Sequence, residues 1–316
     1  MQRLTRFTAA LLSAGLALTT ALPAQADDTP ITIAPPAPGA GAARPTLSVC
    51  ADPANLPYSD QTHPGFENKI ADLLAADLHA DLTYTWQGFY RAFLKRSLLA
   101  NHCDVVIDVP ATLPGVTVTR PFYASSYVAV TRSNDKRHFE TFDDPWLRDA
   151  KIGVQNIGTE KSETPPLLSL AMRNIVSHIT GFVVRTTGPE LDPQGKIIDA
   201  VANGSIDIAF VWGPIAGYFA KTHGAALKLE KITQDLRHPN FTFVYPMSVG
   251  VRKDSTALRD RLQDALDRHT PEIAAILASY GIPTVPLPAS VPSASPMTTV
   301  AQKVDAQASQ LPPPTH

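Results

Sequence analysis

Cysteine is scarce in this 316-residue chain: there are two, Cys50 and Cys103, which leaves room for one bridge. Excess charge of either sign is missing too. Lys and Arg number 27 against 29 Asp and Glu, a net charge of −2, and the basic residues form no stripe, so nothing attracts a nucleic acid. The nine histidines are spread out, none four residues from another, and the chain has no H-E-x-x-H pair, phosphate loop or Gly-x-Ser-x-Gly elbow. Neither catalysis nor a metal site is expected from these absences. Long apolar runs are absent beyond the first residues, which argues against a membrane anchor.

What stands at the N-terminus is Arg3 and Arg6, an apolar run from Phe7 to Leu22, and Ala24-Gln25-Ala26. That order of charge, apolar core and small residues is the pattern of a cleavable secretory signal over residues 1–26. The compartment expected is a bacterial periplasm. Residues 27–45 and 284–316 are rich in Pro, Ala, Ser and Thr without apolar periodicity, and read as a linker and a tail that do not fold.

Between them, short β-branched runs alternate with helical patterns. Leu47 to Cys50, Leu82 to Trp86 and Val105 to Ile107 read as strands. A helix from Gly65 carries Phe66, Ile70, Leu74 and Leu78 on one face, and a second is marked by Phe89, Phe93, Leu94 and Leu98. The pattern restarts at Lys151 to Gln155, with helix starts at Thr164-Pro165 and Asp192-Pro193 and a strand from Ile206 to Val211. Such alternation predicts mostly parallel sheets. The length allows two lobes: residues 46–131 with 245–283, and 132–244 inserted between, joined by two hinge crossings.

Cys50 ends one of these strands and Cys103 precedes another, so neighbouring parallel strands bring them together; two buried thiols are the alternative. The cleft is expected at the carboxyl ends of the strands, lined by the loops after Cys50, Trp86, Val109, Gln155 and Val211.

The order of elements resembles the periplasmic solute-binding proteins of the polar amino-acid family, with a two-lobed type II binding-protein fold. Gly65-Phe66-Glu67, Cys103-Asp104-Val105-Val106, Arg120-Pro121-Phe122-Tyr123 and Gly204-Ser205-Ile206-Asp207 carry it. Two departures stand out. The arginine such receptors carry after the third strand is missing from Val109-Pro110-Ala111-Thr112-Leu113-Pro114-Gly115, and Trp212-Gly213 replaces the acid that meets a ligand ammonium.

A narrower resemblance fits both departures. Cys50-Ala51-Asp52-Pro53, Asn55-Leu56-Pro57-Tyr58, Gly153-Val154-Gln155-Asn156-Ile157-Gly158 and Val211-Trp212-Gly213-Pro214 with Ala216-Gly217-Tyr218 are similar to the binding-protein-like subfamily associated with quinoprotein dehydrogenases, the J-type accessory proteins of methanol dehydrogenase. The resemblance implies a non-enzymatic maturation or activation factor with no cofactor of its own. Its partner would be a pyrroloquinoline quinone-dependent alcohol or methanol dehydrogenase. The rival reading is the binding component of an ATP-driven importer, with a neutral or weakly polar small molecule in the cleft.

Candidate contact residues each have a plainer reading. Asp52, Asn55 and Tyr58 follow the first strand, though Asp52-Pro53 also suits a turn. Glu67 reaches the cleft or only favours a helix first turn. Trp86, Tyr123, Tyr127, Trp212 and Tyr218 gather aromatic mass near strand ends, where core filling competes with binding. Arg120 meets an anion or makes a hinge salt bridge. Gln155 ends a strand at the cleft, and Gly158-Thr159 precedes a helical region whose amides suit an oxyanion, although Glu160 and Glu163 oppose one. Asp143-Asp144 reads as a turn, and Asp104 and Asp108 flank a strand with no evident partner.

Overall fold

The computed structural model describes residues 44–89, 92–156, 164–183 and 194–288. Strand β1 (Thr46–Ala51) leads through a small hairpin, β2 (Ala54–Asn55) and β3 (Ser59–Asp60), into α1 (Phe66–Asp77). Gly65 precedes that helix, and a Cβ there would strike the Tyr58 carbonyl, so the hairpin lies against the helix start only because the residue is glycine. Phe66, Ile70, Ala71 and Leu74 recur at helical spacing and are fully buried. Burying each large apolar side chain of this kind contributes about 1.5–3 kcal/mol.

Strand β4 (Asp81–Trp86) pairs in parallel with β1. The helix expected next is reduced to α2 (Phe93–Arg96), four residues entered through Ala92 at φ 66°; residues 90 and 91 lie outside the described set. Strand β5 (Val105–Pro110) flanks β1 on its other side, followed by β6 (Thr117–Val118) and the ten-residue β7 (Tyr123–Arg132). The second lobe repeats the alternation: β8 (Ile152–Asn156), α3 (Pro165–Ala171), β9 (Ile179–Val183), α4 (Lys196–Ala202), β10 (Ile208–Trp212), α5 (Gly213–Lys221) and β11 (Leu227–Ile232). The chain then returns through β12 (Val244–Val251), α6 (Thr256–Arg268) and α7 (Thr270–Ser279). A last strand, β13 (Thr284–Val285), closes the described chain.

The outer strands of each lobe, β4-β1-β5 and β10-β8-β9, are parallel, as the alternation requires. The strands that join the lobes run antiparallel to them. Tyr123–Ser126 of β7 pair with β12, while the rest of β7 pairs with β10 on one edge and β11 on the other. The chain therefore passes between lobes at Ser126 and Tyr127, earlier than the boundary at 131, and again between Ile232 and Val244. A strand that runs unbroken through both lobes offers no change of period to mark the crossing. The assignment of residues 284 onward to the tail is also corrected: Thr284 and Val285 pair with Ser125 and Ala124 of β7, and two residues are too few to show a period.

Cys50 and Cys103 are bonded, with Cα atoms 5.5 Å apart across a separation of 53 residues. They sit in a core with Phe93, Leu98, Val106 and Val109. The second lobe has no such bond among the described residues, and is fastened by an ion pair. Arg173, 6% exposed, reaches Asp235 at 2.7 and 2.8 Å and Asp143 at 2.9 and 3.0 Å. Asp143-Asp144 thus forms the expected turn, in which Asp144 accepts N–H donors from Glu140 and Thr141, and also supplies a partner for Arg173. No helix among the described residues is long and apolar enough to cross a membrane.

Candidate functional site

The first lobe presents carboxyl groups at the ends of β1 and β5 and in the first turn of α1. Asp52 follows β1; its Oδ1 accepts the Ala54 N–H at 2.9 Å and its Oδ2 the Phe89 N–H at 2.5 Å. The turn reading of Asp52-Pro53 holds, and the same side chain anchors the loop after β4. Asp108 occupies the left-handed region at φ 62°, which short acidic residues tolerate better than most. The reading of Asp108 as lacking a partner is corrected. The buried Tyr123 hydroxyl donates to Asp108 Oδ1 at 2.5 Å, a contact between residues 15 apart that pattern reading does not reveal. Asp104 is partnered as well, accepting the Ser48 N–H at 3.0 Å and pairing with Arg252 at 3.3 Å.

Glu67 joins this group. Burial, then the nearby charges of Asp108 and Asp52, push its carboxyl well above the usual range. Burial likewise raises Asp108 to about 7, against the opposing hydrogen bond from Tyr123. Both carboxyls are therefore pushed by loss of water toward their protonated forms, Glu67 also by the charges of Asp108 and Asp52. No group of three or more His, Cys, Asp or Glu suited to a metal ion occurs among the described residues.

The second lobe meets this wall with rings and amides. Trp212 ends β10, half-buried, its ring 5.5 Å from both Tyr127 and Tyr245 in edge-on contact. It packs against core residues of both lobes, as does Tyr58. Gln155, 3% exposed at the end of β8, accepts the Trp212 backbone N–H at 2.7 Å, and its own Nε2 has no partner among the described residues. An unmet buried donor costs about 1–3 kcal/mol. Gln194 donates to Asn55 Oδ1 at 2.6 Å and to the Leu56 carbonyl at 3.3 Å, joining the lobes across 139 residues. Sequence reading found Asn55 but passed over Gln194, whose only local signal was its place beside the Asp192-Pro193 helix start.

Asn55, Tyr58, Tyr127 and Trp212 therefore make contacts between the lobes, with Gln155 behind Trp212 in the second lobe and Tyr123 against Asp108 in the first. Others do not. Trp86 stacks on Tyr84 on the edge strand, centroids 4.5 Å apart. Arg120 is exposed and pairs with Asp267 of α6 at 2.5 Å, so it is neither a cleft residue nor a hinge bridge: the residues beside it pair with β12 and direct its backbone N–H to Gln263 of α6. Tyr218 lies against Tyr280, centroids 6.0 Å apart, behind the cleft. Gly158 and Thr159 fall outside the described residues. The loop where solute receptors carry their arginine turns at Pro110 to Leu113 and goes directly into β6, without a helix.

No family model matches the chain. Protein MoxJ of Methylorubrum extorquens is 29% identical over 298 residues, 90% of this chain and 97% of that one. Protein MoxJ of Paracoccus denitrificans is 30% identical over 250 residues, covering 76% and 89%. Among solved structures, the periplasmic binding protein XoxJ from Methylobacterium extorquens AM1 superposes with a TM-score of 0.62 at 29% identity, over 77% of this chain and all of that one.

Proposed function

The chain belongs to the MoxJ family, and from that premise we propose that it is a non-enzymatic periplasmic accessory protein that matures or activates a pyrroloquinoline quinone-dependent alcohol or methanol dehydrogenase. The observation that carries this reading is the second-lobe wall. Where an amino-acid receptor presents an acid, this wall presents Trp212 over Gln155, and the first lobe lacks the helix that would bear an arginine. A two-lobed scaffold without its charged grips is suited to a loop or incompletely folded segment of a protein, held by aromatic anchors at the lobe boundary.

Co-purification with the dehydrogenase, metal-free and metal-loaded, tests the reading; retention in at least one state is expected. Trp212→Asp should weaken capture by about 2 kcal/mol, the scale of a buried aromatic anchor and roughly thirtyfold in affinity. It should create no affinity for amino acids. A thermal-shift panel of small solutes separates the importer-receptor reading, because a true ligand at a hundredfold its dissociation constant adds about 2.7 kcal/mol to stability. A clear solute shift, with no dehydrogenase retained in either state, would overturn the proposal.

A further inference from the structure

The start of α5 has glycines where the backbone of another segment comes too close for any side chain. A Cβ on Gly213 would stand 2.6 Å from Ser125 Oγ and from the Ser126 carbonyl, and 2.9 Å from Pro283. On Gly217 it would strike the Gly281 carbonyl and Pro283. Gly281 in turn has φ 74° and faces Lys221 and the Gly217 carbonyl. Gly213 and Gly217 sit four residues apart on one helix face, and that face rests on Gly281 and Pro283 of the run from Tyr280 to Val285.

The run is anchored in the first lobe and grips the second. Ile282 is buried in the first-lobe core beside Phe66, Ile70 and Leu277, and the Tyr280 hydroxyl donates to the Pro64 carbonyl at 2.5 Å. Helix α5, by contrast, buries Ile215, Ala216 and Phe219 in the second-lobe core with Ile198 and Val211. Between them, Lys221 Nζ donates to the Ser279 carbonyl at 2.5 Å and Lys231 Nζ to the Thr284 carbonyl at 2.7 Å. Ser125 Oγ donates to the Pro283 carbonyl at 2.6 Å, and β13 pairs with β7 just before it crosses between lobes.

We propose that residues 280–285 form a strap that keeps the two lobes closed through the chain's own contacts, so that the cleft does not open and shut with a small solute. Opening by rotation at Ser126 and Tyr127 would draw α5 off the strap, breaking the glycine-to-backbone packing of Gly213 and Gly217. Gln194 and Asn55 hold the lobes together on the cleft side, and the strap does so behind it. The proposal concerns lobe geometry alone and stands or falls separately from the dehydrogenase partnership.

The test is an interlobe distance measured by pulsed electron resonance on the full chain, spin-labelled at Lys69→Cys on α1 and Met172→Cys after α3, both exposed positions. The parent chain should give one narrow distance that a panel of amino acids and alcohols leaves in place. Gly217→Val should move that distance outward, with far-ultraviolet dichroism preserved. Should that variant fail to fold, the double change Lys221→Met with Lys231→Met removes both ammonium tethers without a clash, and should broaden the distribution to longer distances. Two distances in the parent chain, or a narrow distance unchanged in the double variant, would overturn the strap.

Discussion

The two lobes repeat one strand-helix alternation but are stabilised by opposite chemistry. The first is fastened by the Cys50–Cys103 bond and keeps desolvated carboxyls, Glu67 and Asp108, at its cleft face. The second is fastened by a buried ion pair, Arg173 with Asp235 and Asp143, and shows the cleft Trp212 and Gln155. A carboxyl deprived of water is pushed toward its protonated form, whereas one gripped by a guanidinium is held ionised. The lobes should therefore respond differently to the same perturbation.

The largest effect is expected in the second lobe. Arg173→Ala would leave Asp235, 2% exposed, as an uncompensated buried charge, at a cost of about 3–5 kcal/mol. Denaturant unfolding with hydrogen exchange resolved by lobe should place the loss between residues 127 and 243. A loss confined to the first lobe would erase the contrast. Next comes Cys50→Ala with Cys103→Ala, which frees a loop of 53 residues and should remove about 4 kcal/mol in the chain-entropy account. Here the exchange should rise around β1 and β5 and leave β8 to β10 protected.

The smallest and most selective effect is that of pH. Asp108 is raised in the folded state, so its contribution to stability is complete below about pH 4 and is lost as pH climbs through about 7. For Asp235, burial pushes the pKa upward, and the hydrogen bonds it accepts, that of Arg173 foremost, together with the Arg173 charge bring it down to about 2. Its contribution is present above about pH 4 and is lost as pH falls through about 2. Melting temperatures of Asp108→Asn should flatten the decline on the neutral side only, and those of Asp235→Asn the decline on the acid side only. Identical profiles in the two variants would mean that the lobes are not electrostatically distinct.

Much of this contrast lies outside what sequence reading reaches. Period and punctuation located β1, α1, β4, β5, β8 and β10, because a buried strand or an amphipathic helix writes its pattern into adjacent residues. They missed the shortness of α2 and the pairing of Thr284 and Val285, where too few residues take part for a period to show. Trp212, Asn55, Tyr58 and Tyr127 are legible as candidates from their places near strand ends, and the folded chain sets them in contacts between the lobes; whether they bind a partner is what the capture experiments test. Arg120, Trp86 and Tyr218 were chosen by residue type, and side-chain type does not say which way a residue faces.

By itself the sequence determined the two-lobed alternation and the kinship carried by its motifs, since each is written in local order, and it left one possible pairing for its two cysteines, which the fold closes. Tertiary structure decided the rest: the desolvated carboxyls of Glu67 and Asp108, the Gln194–Asn55 bridge over 139 residues and the seating of α5 against Gly281 and Pro283. Gly213 and Gly217 read as a helix start within a strand-helix unit, and only the folded chain shows the backbone that their missing side chains admit. Burial and close approach are properties of distant segments brought together, and they leave no mark on the spacing of neighbours along the chain.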